Sequence, residues 1–263
     1  MDPFYTRLLR EGTAELDRGN HAEAARDLRI AVFGMLEEPA LLARGLVLLA
    51  LAQHASGDSE GFEETFFRLA EVEDRFQAFS GAELTPERRA AFLELLTRGA
   101  VPAPALDAAP PVFRDLVDQK REAELAALPE KARRTALERL VAQDPKSVRW
   151  RLALARQAFR ERAWEEVIAQ ATAALAVDVA SQEARLLRGF AHAERKRWLD
   201  AAVDLNASGQ ASQSPRSAEH MLRALIELDR TAEAVRFLDT LSAELRADPR
   251  IRQLSARLGS RRD

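Results

Sequence analysis

Trp164 and Trp198 stand thirty-four residues apart, and their surroundings recur in step: Ala155 matches Gly189, Asp144 matches Asp178 and Val167 matches Ala201. Thr231 continues the series with one residue fewer. A fixed period of this length marks a helical hairpin repeated along the chain, a unit that cannot bury its apolar face alone and therefore stacks on its neighbours. The composition agrees. Ala, Leu, Arg and Glu dominate, while only 11 Gly and 11 Pro occur in 263 residues, a balance that favours helix over strand. The reading is an all-α protein built as a solenoid of antiparallel hairpins.

Apolar residues at helical spacing begin with Phe4, Leu8, Leu9 and Leu16, and Gly19-Asn20 punctuates them. Ala24, Leu28 and Val32 mark a second helix, which stops at Glu37-Glu38-Pro39. Residues 41–56 form a third, closed by Gly57-Asp58, and 59–76 a fourth. Thr85-Pro86-Glu87 offers an N-cap, a proline for the first turn and an early acid, so 86–98 is a fifth helix that caps this array. From Gly99 to Pro111 four prolines and small residues predict an extended connector. The expected organisation is therefore an N-terminal array over 1–98, a Pro/Ala-rich linker over 99–110 and a second array over 111–263. A loop laid across one continuous solenoid is the other arrangement this pattern allows. Helices are expected near 111–127, 130–143, 147–162, 164–177, 181–196, 198–210, 215–229, 231–246 and 248–259, the last a basic cap.

Residues 1–100 carry 11 Arg and no Lys against 18 acidic groups, and the remainder carries 28 basic against 24 acidic groups. That asymmetry allows head-to-tail self-association, or a separate partner for each array. Arginine outnumbers lysine 35 to 4, which suits forked contacts to carboxylates. The absence of cysteine excludes disulfides and thiol chemistry. His21, His54, His192 and His220 show no metal-ligand spacing, and there is no Gly-rich phosphate loop and no Gly-x-Ser-x-Gly elbow. No catalytic residues, cofactor or metal are expected. The Arg246–Arg262 stretch lacks the interleaved aromatics of a nucleic-acid surface. Leu41 to Ala52, interrupted by Arg44, reads as too short to cross a bilayer. The start lacks a secretory signal pattern, so the expected compartment is the cytoplasm, or the periplasm for a chain whose leader has been removed. Glu64–Arg68 and Glu71–Arg75 have the spacing of surface ion pairs, while Phe67 points away from the Phe62, Phe66 and Leu69 face and offers an exposed aromatic patch.

The pattern resembles the tetratricopeptide repeat. Ala155 takes the small crossing position of a first helix, Trp164 opens the second helix, and Ala171 and Ala174 are its small inward positions. The next copy uses Gly189, Trp198, Ala201 and Leu205; a third uses Ala234, Leu238 and Leu241, with Leu222 replacing the small residue. Gly12, Gly19, Asn20, Ala24, Leu28 and Ala31 fit near the N-terminus. The resemblance implies a groove lined by first helices that receives a peptide or partner helix, and it implies Trp164 as an inter-helix core residue. Transferred residue by residue, the groove positions are Arg149, Arg156, Phe159 and Arg160, then Glu183, Phe190 and Glu194, then Arg216, His220 and Arg223. Arg beside Phe suits an acidic protein segment or peptide; the competing reading makes these Arg solvated and these Phe inter-repeat core. The Lys and Asn that clamp a terminal carboxylate in some family members are missing here. The implied function is a non-catalytic adaptor or scaffold, with an accessory assembly subunit of an enzyme or envelope machine as the alternative.

Overall fold

The computed structural model describes residues 2–259, the side chain of Ala103 excepted, and among them it contains sixteen helices and no strand. They form two compact units that divide after Ala127.

The first unit opens with two hairpins: α1 (Pro3–Arg18) on α2 (His21–Phe33), and α3 (Pro39–Ser56) on α4 (Ser59–Phe76). Asp2 caps α1 by accepting from the Phe4 amide at 2.8 Å, and Asp58 caps α4 by accepting from the Gly61 amide at 2.9 Å. Helix α3 runs through the middle of the unit. Its eighteen residues are long and apolar enough to span a bilayer, longer than the stretch the sequence marks, but Leu42, Ala43 and Gly45 to Gln53 are buried against its neighbours. It is a core helix.

The Pro-rich segment differs from its sequence reading. It contains a short helix, α6 (Ala103–Ala108), and it does not separate two arrays. Val101 and Leu106 are buried in the first core, as are Phe113 and Val117 of α7 (Pro111–Ala127), which packs on α5 (Pro86–Thr97). Phe113 is the reason. Its ring lies 5.5 Å from Phe66, 5.1 Å from Phe79 and 6.4 Å from Phe92, so four aromatic side chains bind residues 111–127 to the first unit.

The second unit holds α8 (Glu130–Gln143) and three hairpins: α9 (Val148–Arg160) with α10 (Trp164–Val177), α11 (Gln182–Glu194) with α12 (Trp198–Ala207), and α13 (Pro215–Glu227) with α14 (Thr231–Thr240). The helix expected over 231–246 breaks at Leu241, which is extended and buried, and α15 (Ala243–Ala247) restarts under a Ser242 cap. Helix α16 (Pro249–Gly259) packs on α13 and α14 and covers the last hairpin with Ile251, Leu254 and Leu258. Its Arg246–Arg262 neighbourhood ends in Arg261 and Arg262, which lie outside the described residues.

One turn chemistry serves all five hairpins. At Gly19, Gly57, Arg162, Lys196 and Asp229 the backbone enters the left-handed region, with φ of 82°, 81°, 60°, 59° and 57°. In each case the next amide reaches back five residues: Asn20 to Glu15, Asp58 to Gln53, Ala163 to Ala158, Arg197 to His192 and Arg230 to Leu225, at 2.8–2.9 Å. Between hairpins, Ser147 and Ser181 cap α9 and α11, while Arg151 and Arg185 donate to the carbonyls of Pro145 and Val179 at 2.7 and 2.8 Å. The thirty-four-residue period is thus a period of hydrogen bonds as well as of apolar faces. Trp164 and Trp198 are half-buried rather than central; Trp150, 2% exposed, is the fully buried one.

Candidate functional site: the first-helix face of the second unit

Helices α9, α11 and α13 lie side by side, because each hairpin packs its first helix on the first helix of the next. The hairpins can do so where crossing residues are small. A Cβ placed on Gly189 would stand 2.9 Å from Leu205 Cγ and 3.1 Å from the Leu205 amide, and one on Gly12 would meet Leu28 at 2.8 and 3.2 Å in the same way. Both pairs are sixteen residues apart, the separation that also relates Ala155 to Ala171.

Across this face runs a diagonal of rings. Phe159 of α9 sits edge-on to Trp164 at 5.2 Å and 5.9 Å from Phe190 of α11, and Phe190 lies 5.1 Å from His220 of α13. The exposed Arg216 of α13 spreads over both phenyl rings, its guanidinium carbon 4.5 Å from the Phe159 centroid and 5.2 Å from that of Phe190. No carboxylate lies within 4.0 Å of Arg216 among the described residues. Its N–H groups are therefore free to fork onto an incoming acid, on a cation–π seat worth about 0.5–1 kcal/mol.

The other candidates divide. Arg156 is exposed but held by Glu183 at 2.6 Å, and Arg223 is held by Glu219 at 2.7 Å. Arg149 is half-buried and engaged. Arg160 is exposed, its guanidinium donating to Gln157 Oε1. Phe190 and His220, placed among exposed groove positions by the resemblance, are instead 7% and 6% exposed: Phe190 lies against His220 of the next first helix, and α13, which carries His220, packs between α11 and α16. Only Phe159 keeps a partly open ring, under Arg216.

Beside this face is a feature the sequence reading missed. Arg188 donates through Nε and Nη2 to both oxygens of Asp204, at 2.7 and 2.8 Å, where the Asp204 side chain is only 4% exposed. The two are sixteen residues apart, the crossing separation, which is the signal that could have found them. His192 Nε2 lies 3.8 Å from the same carboxylate, and burial holds this imidazole below its ordinary pKa. Arg134 of α8 bridges Glu138, Glu161 and Glu166 and ties α8 to the first hairpin.

His220 titrates abnormally. Burial, with help from Arg216, Arg223 and Arg250, pushes its pKa down to about 4, and its Nδ1 has no hydrogen-bond partner among the described residues. Below a pH of about 6.5 the unfolded chain takes up a proton that the folded imidazole refuses, so stability falls as the pH drops through this window. The expected loss from His220 between pH 6.5 and 4 is about 3 kcal/mol, at 1.36 kcal/mol per unit. Denaturant titrations of wild type and His220→Phe at both pH values check this: the wild type should lose that much more than the variant. Parallel losses would place the imidazole in solvent.

No protein-family model matches the chain, and no curated protein matches it in sequence. Solved structures do. A tetratricopeptide repeat protein from Parabacteroides merdae aligns over 99% of this chain and 88% of its own, at 14% identity and a TM-score of 0.36. The TPR2AB domain of yeast Sti1, in a pHSP90 complex, aligns over 97% and 83% at 17% identity and a TM-score of 0.33. Acl4, an assembly chaperone of RpL4, aligns over 98% and 96% at 16% identity and a TM-score of 0.34. The hairpins themselves settle the class, through their period, their shared left-handed turn and their small-residue crossings. The chain is an all-α protein of stacked antiparallel helical hairpins. Among the described residues, no three His, Asp or Glu side chains converge on a point a metal ion could occupy.

Proposed function

We propose that this protein is a non-catalytic adaptor that holds an acidic, partly apolar peptide segment of a protein partner on the first-helix face of its second unit. The observation that carries the proposal is Arg216, seated on the Phe159 and Phe190 rings with no carboxylate of its own. Such a guanidinium is fixed in orientation yet chemically unsatisfied, and a carboxylate can take two parallel N–H bonds from it. Arg160 is the second unpaired cation here, and the open edge of Phe159 provides apolar contact. Arg156 and Arg223 frame the face but are already neutralised.

A displayed library of random peptides, selected on the whole chain, tests the reading. Peptides carrying Asp or Glu next to an apolar residue should be enriched, and enrichment should disappear when Arg216→Glu replaces the wild type. Enrichment of basic peptides, or the same sequences with both proteins, would remove Arg216 from the binding surface.

A further inference from the structure

We infer that the first unit carries a separate docking cleft, between α4 and the corner where α6 meets α7, for a basic amphipathic helix of a partner protein. Glu60, Glu64, Phe67, Glu71 and Asp74 follow one another at spacings of four, three, four and three, which places them on one face of α4. All five are exposed, Phe67 by 49%. On this face opens a cleft of about 450 Å³, with Phe67, Ala70, Glu71 and Asp74 on one wall and Ala105 and Pro110 among the residues opposite.

Among the described residues the acids of this stripe have no counter-charge in contact. Arg68 and Arg75 stand one turn from Glu64 and Glu71, the spacing that predicts ion pairs, yet no basic nitrogen lies within 4.0 Å of Glu60, Glu64, Glu71 or Asp74 among the described residues. An aromatic floor with an alanine and proline wall accepts apolar side chains, while the unpaired carboxylates beside it accept Lys or Arg. The complement is a helix with an apolar stripe flanked by basic residues. Nucleic acid and anionic lipid are repelled by the same charge. A second copy of this chain fits poorly: its basic helix α16 already buries Ile251, Leu254 and Leu258 in its own unit and brings cations without a free apolar stripe.

The probe is a labelled helical peptide of Leu and Lys, with Leu at i, i+3, i+4 and i+7, titrated into the full chain and read by fluorescence anisotropy. The same peptide with Glu for Lys serves as its counterpart. Saturable one-to-one binding of the Lys peptide alone is expected. Glu71→Lys with Asp74→Lys should weaken it about tenfold or more, and so should Phe67→Ser, whereas Glu23→Lys on α2 with Glu37→Lys in the turn after it should change it by less than about twofold. Circular dichroism verifies that each variant keeps its helices. Equal losses from the two charge reversals would reduce the effect to net charge, and unchanged binding by Phe67→Ser would remove the apolar contact; either result overturns the inference, as does the absence of binding. Wild-type dimers in sedimentation that Glu71→Lys with Asp74→Lys abolishes would give the cleft to a second copy and also overturn it.

Discussion

Phe113→Ala is expected to lower the stability of the first unit by about 3–5 kcal/mol, the range for deleting a fully buried aromatic side chain. Phe113 is 0% exposed, and its ring contacts Phe66, Phe79 and Phe92, so truncation opens a hole where α4, α5, α7 and the 77–85 loop meet. Denaturant unfolding beside a control, Phe76→Ala, measures it. Phe76 is 55% exposed and its truncation should cost well under about 1 kcal/mol. The test bears on organisation as well as packing. If Phe113→Ala cost only a few tenths, residues 99–110 would be a linker and 111–127 the start of a second array, as the sequence implies, and neither would belong to the first core.

Arg188→Ala is the second large effect. It leaves the Asp204 carboxylate, 4% exposed, without its two forked hydrogen bonds, and removal of one partner from such a pair costs about 3–5 kcal/mol. Replacing both partners, as Arg188→Met with Asp204→Leu, should restore most of that loss, because an apolar pair leaves no stranded charge. Equilibrium unfolding of the two singles and the double gives the coupling directly. A double variant as unstable as the sum of the singles would mean that the side chains act separately.

The hairpin frame was legible because it is local. Trp164 and Trp198, Ala155 and Gly189, and the Gly19 and Gly57 turns all repeat chemistry that acts within one hairpin: a cap, a turn, a crossing of small residues. The site was legible only in part, because contacts between hairpins run diagonally. Phe159 meets Phe190, Phe190 meets His220 and Arg156 meets Glu183 at separations of 31, 30 and 27 residues, not thirty-four. A residue-by-residue transfer of groove positions therefore finds the helices but misassigns who covers whom, which is how Phe190 and His220 come to be buried. The 99–111 segment misleads for a different reason. Prolines at 102, 104, 110 and 111 forbid a long helix, but Pro104 and Pro111 fall in the first turns of α6 and α7, where a missing amide hydrogen costs little. The α4 carboxylates show the converse: the spacing of Glu64 to Arg68 and Glu71 to Arg75 permits ion pairs that do not form among the described residues.

Arg216, seated on two phenyl rings, is the proposed anchor for an acidic segment. Its most direct measurement is a calorimetric titration of one peptide from the displayed library into wild type and three variants. Arg216→Glu should weaken binding about tenfold or more and Arg216→Lys should lose most of the affinity, since an ammonium cannot fork onto a carboxylate or lie flat on the rings. Arg156→Glu should bind nearly as wild type, because that side chain is already held by Glu183. Undiminished binding by Arg216→Glu, with Arg156→Glu abolishing it, would contradict the account and place the peptide elsewhere on the face.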